Sequence, residues 1–363
     1  MNISELDTPA LLVDLDVMER NLRRAADYAA KHKLRLRPHT KTHKIPALGR
    51  RQLELGAAGL TVAKVGEAEV MMAAEPPDLL VAYPVIGAGK LRRLMEVARR
   101  TRVTVALDSE YAARELSGAA GQAGIEVGVL AETDAGFGRV GVDMGDQLVE
   151  LIRVIRRLPR LRYEGIAFYP GHIRKLDGED DPEFVRIGRT LRQTLDRLNR
   201  EGMEPRIVSG GSTPSLWHSH ELEGMNEIRP GTYVFNDLNT VVSKACALED
   251  CAASVLVTVV STARPGQIII DGGSKTFSSD GLIGGSGGFG RLVEDPRAVF
   301  HKMNEEHGYV DIRACERKFA NGDRLRVIPN HICVAVNLHE RIYGVRGDET
   351  ETVWKVEGRG KLQ

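Results

Sequence analysis

Residues 34–44 read LRLRPHTKTHK. Leu34 and Leu36 alternate with Arg35 and Arg37 as the two faces of a strand do, Pro38 closes the run, and Lys41 and Lys44 follow at its C-terminal side. Outward from this stretch the same pattern recurs. β-rich runs at Ala58–Ala63, Leu79–Pro84, Val103–Asp108, Glu126–Asp134, Glu164–Gly171, Arg206–Gly211 and Ile228–Phe235 bring the total to eight. Between them lie helix-like stretches such as Val17–Lys31, Gly66–Ala74, Lys90–Arg99 and Pro182–Arg200. Eight parallel βα units predict an α/β fold whose N-terminal part, residues 1–240, is a (β/α)8 TIM barrel.

After about residue 240 the helical pattern gives way to β-branched runs at Ala253–Ala263, Gln267–Asp271 and Leu325–Ile328, then HICVAVNL from His331 and ETVWKV from Glu351. They predict a C-terminal β domain over residues 241–363, which the first residues of the chain are free to join. The Gly-rich Gly281–Leu292 and the polar segment to about Asn321 are expected to be loops.

The chain has 363 residues, 42% hydrophobic and 28% charged, enough for one large domain and a smaller one. Its 50 basic and 50 acidic side chains cancel, which argues against a nucleic-acid or membrane-surface binder and for a small-molecule partner. The N-terminal MNISELDTPALLVDLD lacks the basic start and apolar run of a signal peptide, and no later segment has the continuous apolar length of a membrane span, so a cytoplasmic location is expected. Four cysteines, Cys246, Cys251, Cys315 and Cys333, then suggest reduced thiols or metal ligation rather than a disulfide framework.

In a barrel of this kind the loops after the strands' C-terminal ends carry the chemistry. Here those ends hold RPHTKTHK, Tyr83, Asp108, ETDAGFGRVGV, Tyr169 to His172, SGGSTPS and Tyr233 to Asp237. Lys41 at a strand end is a candidate amine nucleophile, as against a solvated lysine in a basic loop. Ser209–Ser215 combines small residues, hydroxyls and the start of a short helix, which suits an anion such as a phosphate as well as a plain turn. Gly136 and Gly138 can aim Arg139 inward, the alternative being a surface arginine paired to Asp134. In the β domain, His331 and Cys333 are two apart in an expected strand, hence on one face. An imidazole and a thiolate so placed suit zinc, and suit equally a buried cysteine beside a bonded histidine.

Taken together, DTPALLVDLD, RPHTKTHK, ETDAGFGRVGV, SGGSTPS, RPGTYVFND and PNHICVAVNL resemble, in this order and over nearly the whole chain, the D-serine dehydratase and D-threonine aldolase family of alanine-racemase-fold pyridoxal-phosphate enzymes. The resemblance implies that Lys41 holds pyridoxal 5'-phosphate as a Schiff base, that Arg139 contacts the ring, and that Tyr169 lies near ring and substrate. It further implies that Gly210, Gly211, Ser212 and Thr213 cradle the phosphate, with Tyr233 close to the same group. His331 and Cys333 would bind a divalent metal, zinc by ligand softness, with manganese, cobalt or magnesium as alternatives. Family members are homodimers in which the β domain of one subunit contributes to its partner's site or borders it, so a homodimer is expected.

The implied chemistry is a lyase reaction on a D-3-hydroxy amino acid. In a dehydratase (ammonia-lyase) of the D-serine or D-threo-3-hydroxyaspartate type, Lys41 takes the Cα proton while the metal makes the β-hydroxyl a leaving group. In a D-threonine aldolase the hydroxyl is deprotonated instead, with His172 or a metal-bound water a candidate base, and glycine and an aldehyde leave. In the resemblance, His-x-Cys goes with dehydratases and His-x-Asp with aldolases, which favours the dehydratase. An amino-acid racemase, using Tyr343 or Tyr309, and a non-catalytic pyridoxal-phosphate-binding protein are the rivals. Arg174, Trp217, His218 and His220 are candidates to face the substrate side chain.

Overall fold

The computed structural model describes residues 1–176, 181–285 and 288–363. They form two compact units, one of residues 24–41, 46–231 and 360–363, the other of residues 1–23, 42–45 and 232–359. The division therefore falls after Gly231 rather than near residue 240, and the N-terminal residues belong with the later chain. The cause is the first strand, β1 (Ala10–Asp14), which pairs with strands from beyond residue 250.

The larger unit carries eight parallel strands: β2 (Arg35–Leu36), β3 (Leu60–Val62), β4 (Asp78–Val81), β5 (Arg102–Leu107), β6 (Val127–Thr133), β7 (Leu161–Phe168), β8 (Ile207–Gly210) and β9 (Glu227–Ile228). Their order is β2-β9-β8-β7-β6-β5-β4-β3. The His39–Thr61 bridge and the bond from the Ala58 N–H to the Leu36 carbonyl (2.7 Å) close β3 onto β2, completing the (β/α)8 barrel. Helices such as Pro46–Glu54, Glu110–Ala123, Asp146–Arg157 and Pro182–Arg200 separate the strands. The eighth run is far shorter than expected: Pro230 has no N–H to extend the ladder, and Thr232–Val234 turns into a 3₁₀ helix.

Leu80, Ala106, Leu130, Ala167 and Ile207, one from each of five adjacent strands, pack as a core cluster. Other buried positions are charged. Arg37, 1% exposed, pairs with Asp78 at 2.7 Å and Glu227 at 3.0 Å. The Arg229 guanidinium donates to the Ser209 hydroxyl (2.5 Å) and the Phe168 carbonyl (3.0 Å). Toward the strands' N-terminal ends, Glu164 collects Arg102 (2.6 Å), Arg162 (2.5 Å) and Arg206 (2.9 Å). Burying one partner of such a pair without the other costs roughly 3–5 kcal/mol, so these contacts lock strand positions.

The second unit adds β10 (Ala253–Arg264), β11 (Gln267–Ile270), β12 (Gly290–Leu292), β13 (Val299–Met303), β14 (Gly308–Asp311), β15 (Arg324–Pro329), β16 (Arg341–Arg346) and β17 (Glu349–Lys355). The sheet order is β11-β14-β13-β12-β15-β10-β1-β16-β17, and a further β10–β11 pairing closes β10 to β15 into a six-stranded antiparallel barrel. Three of these strands, β12 to β14, occupy the stretch expected to be loops; Ser286 and Gly287 of that stretch lie outside the described residues. HICVAVNL is a second departure. Ile332–Leu338 is a helix with His331 as its N-cap, and Ile332, Ala335 and Val336 are buried at helical spacing. Among the described residues no helix is long and apolar enough to cross a membrane.

Candidate functional site

In the barrel unit the strand ends bring together most of the residues singled out from the sequence. Lys41 follows β2 with its side chain exposed, and its backbone N–H points at His39 Nδ1 (3.4 Å). Arg139 is exposed, its guanidinium carbon 4.9 Å from the Tyr169 ring centroid and 5.1 Å from that of Phe137. It is not held by Asp134. That carboxylate accepts from the backbone N–H groups of Gly136 (3.0 Å), Phe137 (2.8 Å) and Gly138 (2.9 Å). Asp108 ties the far side of the same loop by accepting from the Gly141 N–H (3.0 Å).

After β8, Gly211 takes φ +81°, open to glycine and costly for other residues. A Cβ on Gly210 would sit 2.4 Å from Phe168 Cζ and 2.9 Å from Met225 Sδ. Ser212 and Thr213 are buried, and Ser215 fixes the turn by bonding both the Ser212 N–H and its hydroxyl at 3.1 Å. The result is a tight turn of small residues with two buried hydroxyls.

Two carboxylates were not anticipated. Glu183, in the first turn of Pro182–Arg200, places Oε1 2.8 Å from His172 Nε2 and bonds Arg186 through Oε2 (2.8 Å). Arg186 and then His172 hold its carboxyl down at about 2, against partial burial. His172 Nδ1 is buried with no hydrogen-bond partner among the described residues. Glu132, on β6 and 5% exposed, likewise has an unpartnered Oε2. Burial pushes its carboxyl up, Arg229 and Arg139 pull it down, and Asp108 adds to the rise.

Of the candidates for the substrate side chain, Arg174 is exposed. Trp217 lies under Arg24 (4.5 Å), His218 bonds Glu221 (2.8 Å), and His220 bonds the Tyr28 hydroxyl (2.8 Å) and stacks on His32 at 3.8 Å. Trp217 and His220 are thus committed to contacts with the Arg24–His32 segment.

The other unit carries the metal candidates. Because His331 is a helix N-cap and Cys333 the second helical residue, their proximity comes from a turn, not from the alternation of a strand. Each shifts the other's titration. Asp280 Oδ2 contacts His331 Nδ1 at 2.5 Å, and the Cys333 sulfur lies 3.3 Å from the Thr42 hydroxyl and 3.5 Å from that of Thr232. Thr42 is next in the chain after Lys41. Cys333 raises His331 to about 10; burial opposes the Cys333 thiolate, but His331 outweighs it and the thiol sits below its ordinary value. Asp237, buried, accepts from the Ile332 N–H (3.0 Å) between the two and from the Thr240 N–H (2.8 Å). No group of three or more His, Cys, Asp or Glu suited to one metal ion occurs among the described residues. Tyr233, buried in the turn Thr232–Val234, belongs to this unit.

Residues 13–238 match the alanine racemase N-terminal domain, and residues 252–345 the putative serine dehydratase domain. The chain is 34% identical to the 3-hydroxy-D-aspartate aldolase of Paracoccus denitrificans (strain Pd 1222), over 99% of this chain and 94% of that one. The crystal structure of D-threonine aldolase from Filomicrobium marinum superposes with a TM-score of 0.92 at 32% identity, covering 99% and 98% of the two chains. D-threo-3-hydroxyaspartate dehydratase, solved with a histidine or the cysteine two positions further on replaced by alanine, superposes at 0.89 over 98% of this chain, and the cysteine variant, 30% identical and 98% covered, is in the metal-free form. This chain therefore belongs to the family that joins an alanine racemase N-terminal domain to a serine dehydratase domain, the family of the D-serine dehydratases and D-threonine aldolases.

Proposed function

We propose that the protein is a pyridoxal-phosphate- and divalent-metal-dependent lyase of D-3-hydroxy amino acids, and that it dehydrates them, releasing a keto acid and ammonia from a substrate such as D-serine or D-threo-3-hydroxyaspartate. The observation that carries the dehydratase is the His331 and Cys333 pair, which has the residue types and spacing of the two positions altered in the dehydratase variants.

The residues present fit both groups. The Gly210–Thr213 turn has no room for a Cβ at Gly210, which would meet Phe168 and Met225, and it carries the two buried hydroxyls of Ser212 and Thr213. Lys41 is the amine that would hold the cofactor, and Arg139 above the Tyr169 ring is a cation for the ring's edge. When bound, pyridoxal phosphate supplies an electron sink for charge developing at the substrate Cα. Imidazole and a thiol held below its ordinary value are the donor set zinc favours, so His331 and Cys333 would hold the ion, which would supply Lewis-acid activation of the β-hydroxyl.

Lys41 would also be the base for the substrate Cα proton. Glu183 fixes His172 through Nε2, so the Nδ1 lone pair is available to hold or receive a proton. Asp280 fixes the His331 ring, the kind of outer partner that orients a metal-binding imidazole. The four unpaired cysteines support a reducing, cytoplasmic setting, and we propose a homodimer on the family pattern.

The aldolase is the second reading, favoured by the 34% identity to a 3-hydroxy-D-aspartate aldolase; His172 would then take the β-hydroxyl proton. A racemase has less support: Tyr309 bonds Asn304 (2.7 Å) and Tyr343 packs on the Leu6–Val345 cluster. Single-turnover product analysis of the cofactor- and zinc-loaded protein with D-serine, D-threonine and D-threo-3-hydroxyaspartate separates them. Keto acid and ammonia, lost on chelation, support the dehydratase. Glycine and aldehyde replace it by the aldolase, and conversion to the Cα epimer with neither product by the racemase.

A further inference from the structure

Phe137, half-buried in the loop after β6, touches each of the polar side chains at this end of the barrel that surround it. Its ring meets that of Tyr169 edge to face, with centroids 5.8 Å apart and planes at 81°, and lies 6.4 Å from the His172 ring with planes only 20° apart. The Arg139 guanidinium carbon sits over both aromatic rings, 5.1 Å from the Phe137 centroid and 4.9 Å from that of Tyr169. The backbone fixes this arrangement. Asp134 accepts the Phe137 N–H at 2.8 Å, and a Cβ on Gly171 would run into Tyr169 and come within 3.1 Å of Phe137 Cε1, so the bare Gly171 leaves room for the two rings.

We propose that Phe137 is a positioning residue for the cofactor: with Tyr169 it aims the Arg139 guanidinium at the pyridoxal phosphate ring while leaving that cation unneutralised. The inference rests on the cofactor reading above. Arg139 is exposed, and among the described residues no hydrogen bond or ion pair engages it. Asp134, the acid closest to it in the loop, is spent on the backbone N–H groups of Gly136, Phe137 and Gly138.

A long exposed side chain samples many rotamers, and binding a ligand means giving them up. A carboxylate would order the guanidinium, but at the cost of its N–H donors and its charge. A ring face attracts the cation through its quadrupole and takes no N–H. Phe137 supplies the second such face. It has no group of its own to donate, accept or titrate, so its polar influence on the cofactor passes through Arg139.

The test is a double-mutant cycle on cofactor affinity. The protein is freed of cofactor with hydroxylamine and titrated with pyridoxal phosphate while the absorbance of the bound form is followed. Phe137→Leu should weaken binding about fivefold, the scale of one exposed cation–π contact, and Phe137→Tyr should restore it to within about twofold of the parent. The melting temperature of the cofactor-free Phe137→Leu protein should stay near the parent's. In an Arg139→Met background Phe137→Leu should cost nothing further. A Phe137→Leu protein that binds like the parent overturns the proposal. So does a loss that persists in full beside Arg139→Met, which would make Phe137 a packing residue or a direct contact of the cofactor. Should Phe137→Leu not fold, Phe137→Met enters the same cycle and is judged the same way. A parent that develops no absorbance band on titration overturns the cofactor reading, and this inference with it, so the parent alone tells the two failures apart.

Discussion

Glu183 Oε1 stands 2.8 Å from His172 Nε2, and the same carboxylate is gripped by Arg186. The carboxyl is depressed to about 2, chiefly by Arg186, so its contribution is present above the ordinary carboxylate range and is lost only as pH falls through about 2. At working pH it is a fixed negative charge holding the imidazole with Nδ1 directed away from it. Glu183→Gln should lower kcat on the order of 10²-fold, the scale of a misplaced acid–base group, with KM changed far less. Steady-state kinetics across pH would check this, and an unaltered kcat would assign His172 no proton to move.

Lys41 and Lys44 share one motif and have different fates. Lys41 is exposed at the strand end, whereas Lys44 is buried, its Nζ donating to Asn337 Oδ1 at 2.9 Å. Lys41→Ala should abolish both turnover and the visible absorbance of the bound cofactor while leaving the melting temperature near that of the cofactor-free parent. Lys44→Met should leave the absorbance and lose about 1.5–3 kcal/mol of stability, the cost of a charged hydrogen bond removed from the interior. Absorption spectra and denaturant melts on the two variants decide the assignment.

How far this division could be read beforehand depended on local signals. Val103–Asp108 was legible as a strand because apolar residues end abruptly at a turn, and the observed β5 differs by one position at each end. Pro182–Arg200 was legible because a Pro opens it and a helical apolar face runs through it. HICVAVNL was not: a short apolar run fits both periods, and the choice was made by Asp237, 95 positions away, accepting the Ile332 N–H. Glu183 and His172 meet 11 positions apart in the chain, and nothing in that spacing announces it. Glu132 did leave a trace, a carboxylate ending the apolar run Val127–Ala131, obscured by the more conspicuous Arg139 that follows.

That buried carboxylate makes stability depend on pH. The folded-state value of Glu132 is raised by burial, so between the ordinary carboxyl range and the raised value the folded protein keeps a proton that the unfolded chain releases. Its contribution therefore falls as pH rises through that window. Glu132→Gln, which retains the shape and cannot ionise, should raise the melting temperature at neutral pH and change it little near pH 4. Thermal melts at the two pH values would show the difference, and an equal effect at both would mean Glu132 is ionised in the fold.

Asp280 bears on the proposed metal site through His331 alone. Its carboxylate meets Nδ1 at 2.5 Å, which fixes both the ring's orientation and its tautomer, and outer partners of this kind control roughly 10- to 100-fold in metal affinity. Asp280→Asn keeps a bonding oxygen but can equally present its amide to the ring, so the tautomer is no longer enforced. Zinc affinity should drop within that range while cofactor absorbance stays unchanged, since the barrel cradle is untouched. His331→Ala and Cys333→Ala each remove a proposed ligand and should cost far more. Competition titration of the three variants against a chelator gives the ordering, and an Asp280→Asn protein that binds zinc like the parent would show that the imidazole is held by its helix N-cap position instead.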